Sequence, residues 1–288
     1  MIDTGAGTPP TQLFPRKRQA RRSGAISGKA AIHCRTVFLS DTHIGSRGCK
    51  ADKLLAFLGR IECDTLYLVG DILDLWALRR KWFWPSEHGK VVRRILWLAR
   101  EGMRVIFIPG NHDEVFRCLS GARFKGIEIR REHLYRCRDG RRMLVCHGDE
   151  YDPVQKHTPW LSALGGVLYE WLLRLSTALM RLMRLAGLRE RSLSAWLKRV
   201  VKRFVSGARS YPERLAAEAR GRGLDGVVCG HTHRAEIRMI DGVLYCNDGD
   251  WVESCTALCE TRAGELKLLC NDDSSKQWPG PRAFKKAA

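Results

Sequence analysis

The sequence predicts a layered α/β fold, and three observations support this prediction. Short β-branched or aromatic runs alternate with helix-like segments along the chain. The chain has 288 residues, of which 44% are hydrophobic, enough for one large domain or one domain with an insertion. Polar clusters follow the strand-like runs, and in open α/β sheets such clusters gather beyond the carboxyl ends of strands.

The first strand-like run is TVFLS (36–40), and the helix-like ADKLLAFLGRI (51–61) follows it. The second strand-like run is TLYLV (65–69), followed by the helix-like HGKVVRRILWLAREG (88–102). Three further runs have the composition of buried strands, namely RVIFI (104–108), MLVC (143–146) and GVVC (226–229). This alternation predicts a sheet with helices packed on its faces.

Potential metal ligands directly follow the five strands: Asp41 and His43, then Asp71, then Asn111, His112 and Asp113, then His147, and finally His231 and His233. Each group alone is typical of a turn, a helix cap or a hydrogen-bonded core histidine. Together they would place carboxylates and imidazoles at neighbouring strand ends, where burial without a cation is costly. The set therefore predicts a metal centre.

Carboxylate, imidazole and amide ligands without a thiolate favour Mn²⁺, Fe²⁺ or Zn²⁺ in five- or six-coordinate geometry. Cys146 and Cys229 are interpreted as small buried hydrophobic residues rather than ligands. The number of ligand side chains is too large for one ion and suits two ions that share a carboxylate. Such a pair can hold a hydroxide and stabilise an in-line displacement at phosphorus.

The ordered series DxH, GDxxD, GNHD, HGD and GHTH resembles the calcineurin-like metallophosphoesterases over about residues 36–250, apart from one long insert. The resemblance implies a four-layer α/β/β/α sandwich. It also implies two divalent ions, with Mn²⁺ favoured over Fe²⁺ and Zn²⁺, bridged by Asp71. The other implied ligands are Asp41, His43 and His233 for one ion, and Asn111, His147 and His231 for the other.

The same resemblance implies the catalytic residues. His112 would protonate the leaving oxygen, and Asp74 would orient the His112 imidazole. This pairing agrees with the chemistry, because an imidazole beside dications needs an anion to hold its tautomer and proton in place. Asn111 and His231 are also expected to contact the substrate.

Two segments, GDILDLW (70–76) and YCNDGDWVES (245–254), are similar to the branch of UDP-2,3-diacylglucosamine pyrophosphatases of lipid A synthesis. The resemblance implies hydrolysis of this nucleotide-linked glycolipid to UMP and 2,3-diacylglucosamine 1-phosphate by a hydroxide bridging the two ions. It also implies a cytoplasmic enzyme peripheral to the inner membrane. The best-known members of that branch carry an arginine where this chain has His112, and histidine is typical of more general phosphoesterase chemistry.

A long stretch between the fourth and fifth strands is expected to form a helical insertion over residues 153–222. Its apolar residues recur at helical spacing, and basic residues interrupt them, namely Arg174, Arg181, Arg184, Lys198, Arg199, Lys202 and Arg203. We expect either a helical cap packed on the sandwich or a lid at 157–206 that admits acyl chains and contacts anionic lipid. No charge-free apolar run reaches the roughly 18 residues of a membrane-spanning helix.

The ends of the chain predict a disordered basic leader (1–33) and a flexible tail (271–288) around a phosphoesterase domain (34–270). The eleven cysteines include no CxxC pair, which argues against a disulfide framework or a zinc ribbon and favours a reducing compartment. The sequence does not specify an oligomeric state.

A formal charge of +19 favours an anionic partner, and this leaves alternatives to the glycolipid. One alternative is a phosphodiesterase or nuclease acting on nucleotides or nucleic acid. RRKWFWP (79–85) is the stretch that interleaves aromatic and basic residues as single-strand channels do. Another alternative is a non-catalytic membrane-surface scaffold, which the complete ligand set disfavours.

Overall fold

The computed structural model describes residues 30–152 and 211–270. These ranges contain four α-helices: α1 (Ala51–Arg60), α2 (Leu75–Arg80), α3 (Ser86–Arg100) and α4 (211–221). Two short 3₁₀ helices, Glu114–Leu119 and Asp149–Tyr151, lie in the same ranges. The strands in the same ranges, in chain order, are β1 (Ile32–His33), β2 (Thr36–Leu39), β3 (Ile61–Glu62), β4 (Thr65–Val69), β5 (Arg104–Ile108), β6 (Arg123–Phe124), β7 (Ile127–Ile129), β8 (His133–Arg136), β9 (Arg142–Val145), β10 (Gly226–Cys229), β11 (Glu236–Ile240), β12 (Val243–Asn247), β13 (Thr256–Glu260) and β14 (Leu266–Cys270).

Two large sheets form within the described ranges. The first has the order β14-β13-β2-β4-β5-β7-β6, with parallel pairing from β2 through β4 and β5 to β7. The second has the order β11-β12-β10-β9-β8, and its three inner strands are parallel. Antiparallel strands close both edges of each sheet. The five strands predicted from the sequence are β2, β4, β5, β9 and β10, and each has a parallel neighbour.

Alternating side chains of β2 show how the layers are built. Val37 and Leu39 point to the face covered by α1 and α3, and they pack in one buried cluster with Leu54 and Ile95. Phe38 points to the opposite face, where it packs in a second cluster between the two sheets. Its ring stacks on Tyr67 of β4 at 4.8 Å between centroids.

The far face of the second sheet is covered by α4. Tyr211, Leu215 and Ala219 of α4 pack with Leu144 of β9 and Val227 of β10 in a third buried cluster. The three clusters separate four layers, in the order helices, sheet, sheet, helix. The predicted four-layer α/β/β/α sandwich is confirmed.

The structure differs from the predicted domain boundaries in two places. Ile32 and His33 lie inside the predicted leader, but they form β1 and pair with β3, so folded structure includes them. Residues 211–221 lie inside the predicted insertion, and they form the outer helical layer on the second sheet. The rest of that insertion, including the proposed lid at 157–206, lies outside the described residues, as do residues 1–29 and the predicted tail.

Candidate metal centre

The loops that follow β2, β4, β5, β9 and β10 meet at one edge of the sandwich. The sequence places them there because parallel strands of one sheet end at the same edge. Backbone hydrogen bonds join the loops: Asp41 N donates to the Gly70 carbonyl at 3.0 Å, and His43 N donates to the Asp71 carbonyl at 2.9 Å. The loops of the two sheets also meet here, since His231 N donates to Asp41 Oδ2 at 2.9 Å.

Asp41, His43 and His233 form one cluster of possible ligands. His233 Nε2 lies 3.2 Å from Asp41 Oδ1 and 3.2 Å from His43 Nε2. His43 Nε2 lies 3.9 Å from the same Asp41 oxygen. The three residues come from loops after β2 and β10, and they are the set that the sequence resemblance implies for one ion.

Asp71 lies at the middle of the remaining ligand atoms. Its Oδ2 is 3.4 Å from His147 Nε2, 3.9 Å from His112 Nε2 and 4.0 Å from His43 Nε2. These groups form two further possible clusters, one of Asp71 with His43 and His112, and one of Asp71 with Asp41 and His147. Asp71 therefore has the position expected of a carboxylate shared by two ions.

The residues present suit a metal centre because buried ligand atoms lack other partners. Asn111 Oδ1 and His147 Nε2 are buried and make no hydrogen bond of good geometry within residues 30–152 and 211–270. Leaving such atoms unpaired costs about 1–3 kcal/mol each, so an uncompensated arrangement is unfavourable. The donor set of carboxylates, imidazoles and one amide matches a hard or borderline divalent cation.

Glycines in the motifs keep the backbone clear of these ligands. A Cβ at Gly70, whose φ is +83°, would collide with the His147 ring. A Cβ at Gly110 would collide with the Asp71 carboxylate, and one at Gly230 would collide with Asp41. The glycine in each of the GD, GN and GH motifs is thus required by close approach of a candidate ligand.

The candidate ligands also hold an unusual backbone conformation. In the described part of the chain, eight non-glycine residues have positive φ, and five of them are Asp41, His43, Asp71, His231 and His233. This left-handed conformation costs of order 1–3 kcal/mol for most residues and persists where the surrounding structure imposes it. Its concentration at this edge indicates that the loops are shaped to aim these side chains.

The charges of the cluster are mutually compensating. Burial raises the pKa of Asp71, but the charge and hydrogen bond of His147 together with the charges of His112 and His43 outweigh this effect and hold the pKa below its usual value. Burial lowers the pKa of His147, but the charge and hydrogen bond of Asp71 together with the charges of Asp41 and Asp149 outweigh burial and raise the pKa well above the usual value. Because a ligand imidazole must be neutral, metal binding at His147 would release a proton.

His112, Asp74 and Trp76 form a connected group beside Asp71. His112 Nδ1 lies 3.0 Å from Asp74 Oδ1, and its ring packs on the Trp76 ring at 4.2 Å between centroids. Asp74 also caps α2 by accepting a hydrogen bond from Ala77 N at 2.8 Å. The structure therefore brings His112 and Asp74 together as the sequence resemblance implies, and Trp76 is an addition that the sequence reasoning missed.

His231 is placed differently from the other predicted ligands. Its Nε2 lies 2.9 Å from Asp152 Oδ2, and among the described residues it belongs to none of the three clusters. Its ring nevertheless packs edge-on to His147 at 5.3 Å between centroids. With Nε2 held by Asp152, Nδ1 is the His231 nitrogen left to face an ion or a substrate.

Two aspartates near the C-terminal end of the described chain were missed as site residues. Asp250 Oδ2 lies 3.2 Å from His233 Nδ1, and its Oδ1 accepts hydrogen bonds from the backbone N of Glu253 and Ser254 at 2.9 and 2.8 Å. Asp248 Oδ1 accepts from Ser40 Oγ at 2.5 Å, and Ser40 also contacts Asp41. The available signal was the acidic segment NDGD, which the sequence reasoning used only to assign a branch of the family.

The comparisons with known proteins agree with this geometry. The family model of calcineurin-like phosphoesterases matches residues 34–235. The UDP-2,3-diacylglucosamine hydrolase of Neisseria meningitidis serogroup B is 26% identical over 232 residues, which cover 74% of this chain and 88% of that protein. The UDP-2,3-diacylglucosamine hydrolase of Vibrio cholerae serotype O1 is 24% identical over 257 residues, which cover 81% of this chain and 96% of that protein.

Among solved structures, the phosphoesterase Yfce from E. coli is 17% identical to this chain. The alignment covers 83% of this chain and 94% of that one, with a TM-score of 0.43. The family match spans most of the chain and includes every candidate ligand described above. The chain therefore belongs to the calcineurin-like phosphoesterase family and is a hydrolase of the metallophosphoesterase type.

Proposed function

We propose that this protein hydrolyses the pyrophosphate of UDP-2,3-diacylglucosamine, releasing UMP and 2,3-diacylglucosamine 1-phosphate. The observation that carries the proposal is the arrangement of Asp71 and the His112–Asp74 pair at one edge of the sandwich. The choice of substrate rests on the curated relatives, which are named for this glycolipid and align over most of their length.

Two divalent ions, when bound, would activate a water molecule and neutralise charge on the phosphoryl oxygens. Asp41, His43 and His233 would hold one ion, and Asn111, His147 and His231 would hold the other, with Asp71 shared. Mn²⁺ is the ion we expect. Asn111 and His231 would also contact the phosphoryl group of the substrate.

The chain's own residues would supply the proton for the leaving group. As the water oxygen joins phosphorus, the bond from phosphorus to the bridging oxygen breaks, and His112 would donate its Nε2 proton to that departing oxygen. Asp74 would accept a hydrogen bond from the Nδ1–H group of His112, and its negative charge favours a cationic imidazole before the transfer. Burial lowers the pKa of His112, but the hydrogen bond to Asp74 and the charges of Asp71 and Asp74 together outweigh burial and raise the pKa above its usual value.

A membrane location belongs to this proposal because the substrate is a lipid. No helix in the described ranges is long and apolar enough to cross a bilayer. The proposed lid at 157–206 lies outside the described residues, and its role rests on its amphipathic and basic sequence. We expect the enzyme to bind the cytoplasmic face of the inner membrane reversibly.

A phosphodiesterase acting on nucleotides is the second candidate, and His112 is the observation that favours it. The His112–Asp74 pair can protonate many leaving oxygens, so the geometry does not require a pyrophosphate. Nucleic acid is a possible partner of the basic surface for the same class of reaction.

The deciding experiment compares substrates with the full-length protein and Mn²⁺. We expect the highest kcat/KM with UDP-2,3-diacylglucosamine, lower values with a cyclic nucleotide and with single-stranded DNA, and no turnover by Asp71→Ala. The inactive variant controls for contaminating phosphoesterases. A higher kcat/KM for the cyclic nucleotide or for DNA would reject the glycolipid assignment in favour of the second candidate.

A further inference from the structure

An aromatic and basic loop joins α2 to α3. Its most exposed aromatic side chain is Trp82, with 72% of its surface accessible to solvent. Arg79, Arg80 and Lys81 precede Trp82, and all three are exposed. Burying a large apolar side chain stabilises a protein by about 1.5–3 kcal/mol relative to leaving it in water, and Trp82 forgoes most of this stabilisation. Its presence beside three cations points to a partner with both apolar and anionic character.

The outer face of α3 continues this composition. Its inner face buries Val91, Ile95 and Leu98 in the core. The exposed residues on the outer face are Lys90, Arg93, Trp97 and Arg100, spaced three or four apart. Residues 79–101 carry seven basic side chains against two acidic ones, Glu87 and Glu101. The face is therefore cationic and carries tryptophan, which is typical of helices that lie at a membrane surface.

The ring contacts favour a bilayer over nucleic acid as the partner. Trp82 stacks on Trp84 at 6.1 Å between centroids, and the Arg94 guanidinium covers the Trp97 ring at 4.3 Å. A base-stacking platform needs open aromatic faces, and here each exposed tryptophan already has one face occupied. The bilayer interface accepts the whole amphipathic ring and does not require a free face.

This surface also adjoins the candidate catalytic group. α2 begins next to Asp74 and presents Trp76 to His112, and its last residue is Arg80. A six-residue helix rises only about 9 Å, so the basic loop starts close to the phosphoryl site. A membrane contacting this loop would bring a lipid headgroup to the same edge of the sandwich.

We propose that Arg79–Trp82 together with Lys90, Arg93, Trp97 and Arg100, called here the α2–α3 surface, docks the enzyme on an anionic lipid bilayer. The inference rests on the proposed function, because a lipid-linked substrate gives such docking its purpose. Docking uses charge attraction to anionic headgroups and insertion of Trp82 and Trp97 at the interface.

The test is co-sedimentation of the full-length protein with vesicles of phosphatidylcholine, with and without about 30 mol% phosphatidylglycerol as the anionic lipid. The surface variant carries Arg79→Glu, Lys81→Glu and Arg93→Glu. The matched control carries Arg136→Glu, Arg138→Glu and Arg214→Glu, which are also exposed and change the total charge equally. A third protein carries Trp82→Ala and Trp97→Ala. Far-ultraviolet circular dichroism and thermal melting verify folding in each case.

Each basic group near an anionic surface strengthens binding roughly fivefold, so the surface variant should bind anionic vesicles about 100-fold more weakly. The control should stay within about threefold of the parent, and the tryptophan variant should bind at least tenfold more weakly. Equal losses in the surface variant and the control, or unchanged binding in the surface variant, would overturn the proposal.

Fluorescence anisotropy with a single-stranded oligonucleotide tests whether nucleic acid, rather than lipid, is the partner of the α2–α3 surface. Loss of oligonucleotide binding in the surface variant with full vesicle binding would assign the surface to nucleic acid and overturn the proposal. Hydrolysis of a water-soluble nitrophenyl phosphodiester without vesicles reports the phosphoesterase site by itself. Failure of docking and failure of the proposed function are therefore observed separately.

Discussion

Each candidate histidine of the metal centre has one ring nitrogen held by a partner at hydrogen-bond distance. Asp74 holds Nδ1 of both His43 and His112, the Val69 carbonyl holds Nδ1 of His147, Asp250 holds Nδ1 of His233, and Asp152 holds Nε2 of His231. Such partners fix the tautomer and the ring orientation, and their loss in metalloproteins typically lowers metal affinity or activity 10- to 100-fold. The geometry of the centre thus depends on residues that do not bind metal.

Asp250 gives the clearest test of this dependence. Replacing Asp250 with asparagine keeps the oxygen that caps the 252–254 turn and removes the carboxylate oxygen facing His233. We expect Mn²⁺ affinity to fall 10- to 100-fold with little change in thermal stability of the metal-free protein. Isothermal titration with Mn²⁺ measures the affinity.

Glu253→Gln is the control for Asp250→Asn, because Glu253 is an exposed neighbour and its replacement removes the same charge. If Glu253→Gln weakens Mn²⁺ binding as much as Asp250→Asn does, the effect is long-range charge and Asp250 does not position His233.

His112 should act on the leaving group without being required for metal retention. His112→Ala should lower kcat by about 10²- to 10⁴-fold, since a general acid contributes on that scale. Asp74→Asn should lower kcat in the same range, because it removes the negative charge that stabilises the protonated His112 imidazole, while the remaining side-chain oxygen can still cap α2. Steady-state kinetics and metal analysis of both proteins are the measurements.

The double variant of His112 and Asp74 should be no slower than the slower single variant, because the two residues act as one unit. Loss of stoichiometric metal from His112→Ala would show that His112 is a ligand, as its place in the His43–Asp71 cluster permits.

At the scale of elements, β5 leads into the site at its C-terminal end and contributes Arg104, at its N-terminal end, to an ionic cluster with β6 and β7. Glu128 of β7 is 8% exposed and accepts hydrogen bonds from Arg104 of β5 at 3.2 Å and from Arg123 of β6 at 2.8 Å. The hydrogen bond from Arg104 lowers the pKa of Glu128 to about 2. The cluster ties the edge strands to the centre of the sheet.

Because the folded pKa of Glu128 is depressed, its stabilising contribution is present above the unfolded pKa of 4.5 and is lost as pH falls toward 2. Glu128→Gln should lower the free energy of unfolding at pH 7 by about 1–2 kcal/mol, a range reduced for the solvent exposure of the arginines. The difference from the parent should shrink between pH 4.5 and pH 2.5. Urea denaturation of Glu128→Gln and the parent at pH 7 and at pH 2.5 measures the difference in the free energy of unfolding.

Asp139→Asn is the matched control for the Glu128 prediction. Asp139 pairs with Arg141 on the surface, so its replacement should change the free energy of unfolding by less than about 1 kcal/mol at either pH. An undiminished Glu128→Gln effect at pH 2.5 would show that lost packing, rather than charge, causes the destabilisation.

At the scale of the whole molecule, the metal centre lies where the loops of both sheets meet. The Asp41 loop belongs to the first sheet and the His231–His233 loop to the second, and they contact directly. Ions bound between them would link the two halves of the sandwich. Stability of the whole domain should therefore depend on metal occupancy.

Removing metal with a chelator should lower the melting temperature, and Mn²⁺ should restore it. Binding to the folded state alone adds about 2.7 kcal/mol at a free-ion concentration 100-fold above Kd. Differential scanning calorimetry of the full chain across a Mn²⁺ titration measures the shift, and Asp71→Ala should abolish most of it. A melting temperature independent of Mn²⁺ would contradict a centre shared between the sheets.

Much of this architecture could be predicted from the sequence because it depends on local pattern. Apolar runs such as 36–40 and 104–108 specify buried strands, and the polar residues directly after them must lie at strand ends. The motif series then predicts the family and the four layers, and both are confirmed. The pairing of His112 with Asp74 was also predictable, since the motifs that contain them are separately recognisable.

Only the tertiary structure decided which distant groups meet. Asp250 contacts His233, Asp152 contacts His231, and Arg104 contacts Glu128, and no periodicity in the chain specifies these pairs. The left-handed conformation of five candidate ligands is likewise imposed by neighbouring loops against the preference of those residues. The physical reason is that burial and turn formation depend on residues close in sequence, whereas side-chain partners depend on the order in which strands assemble into sheets.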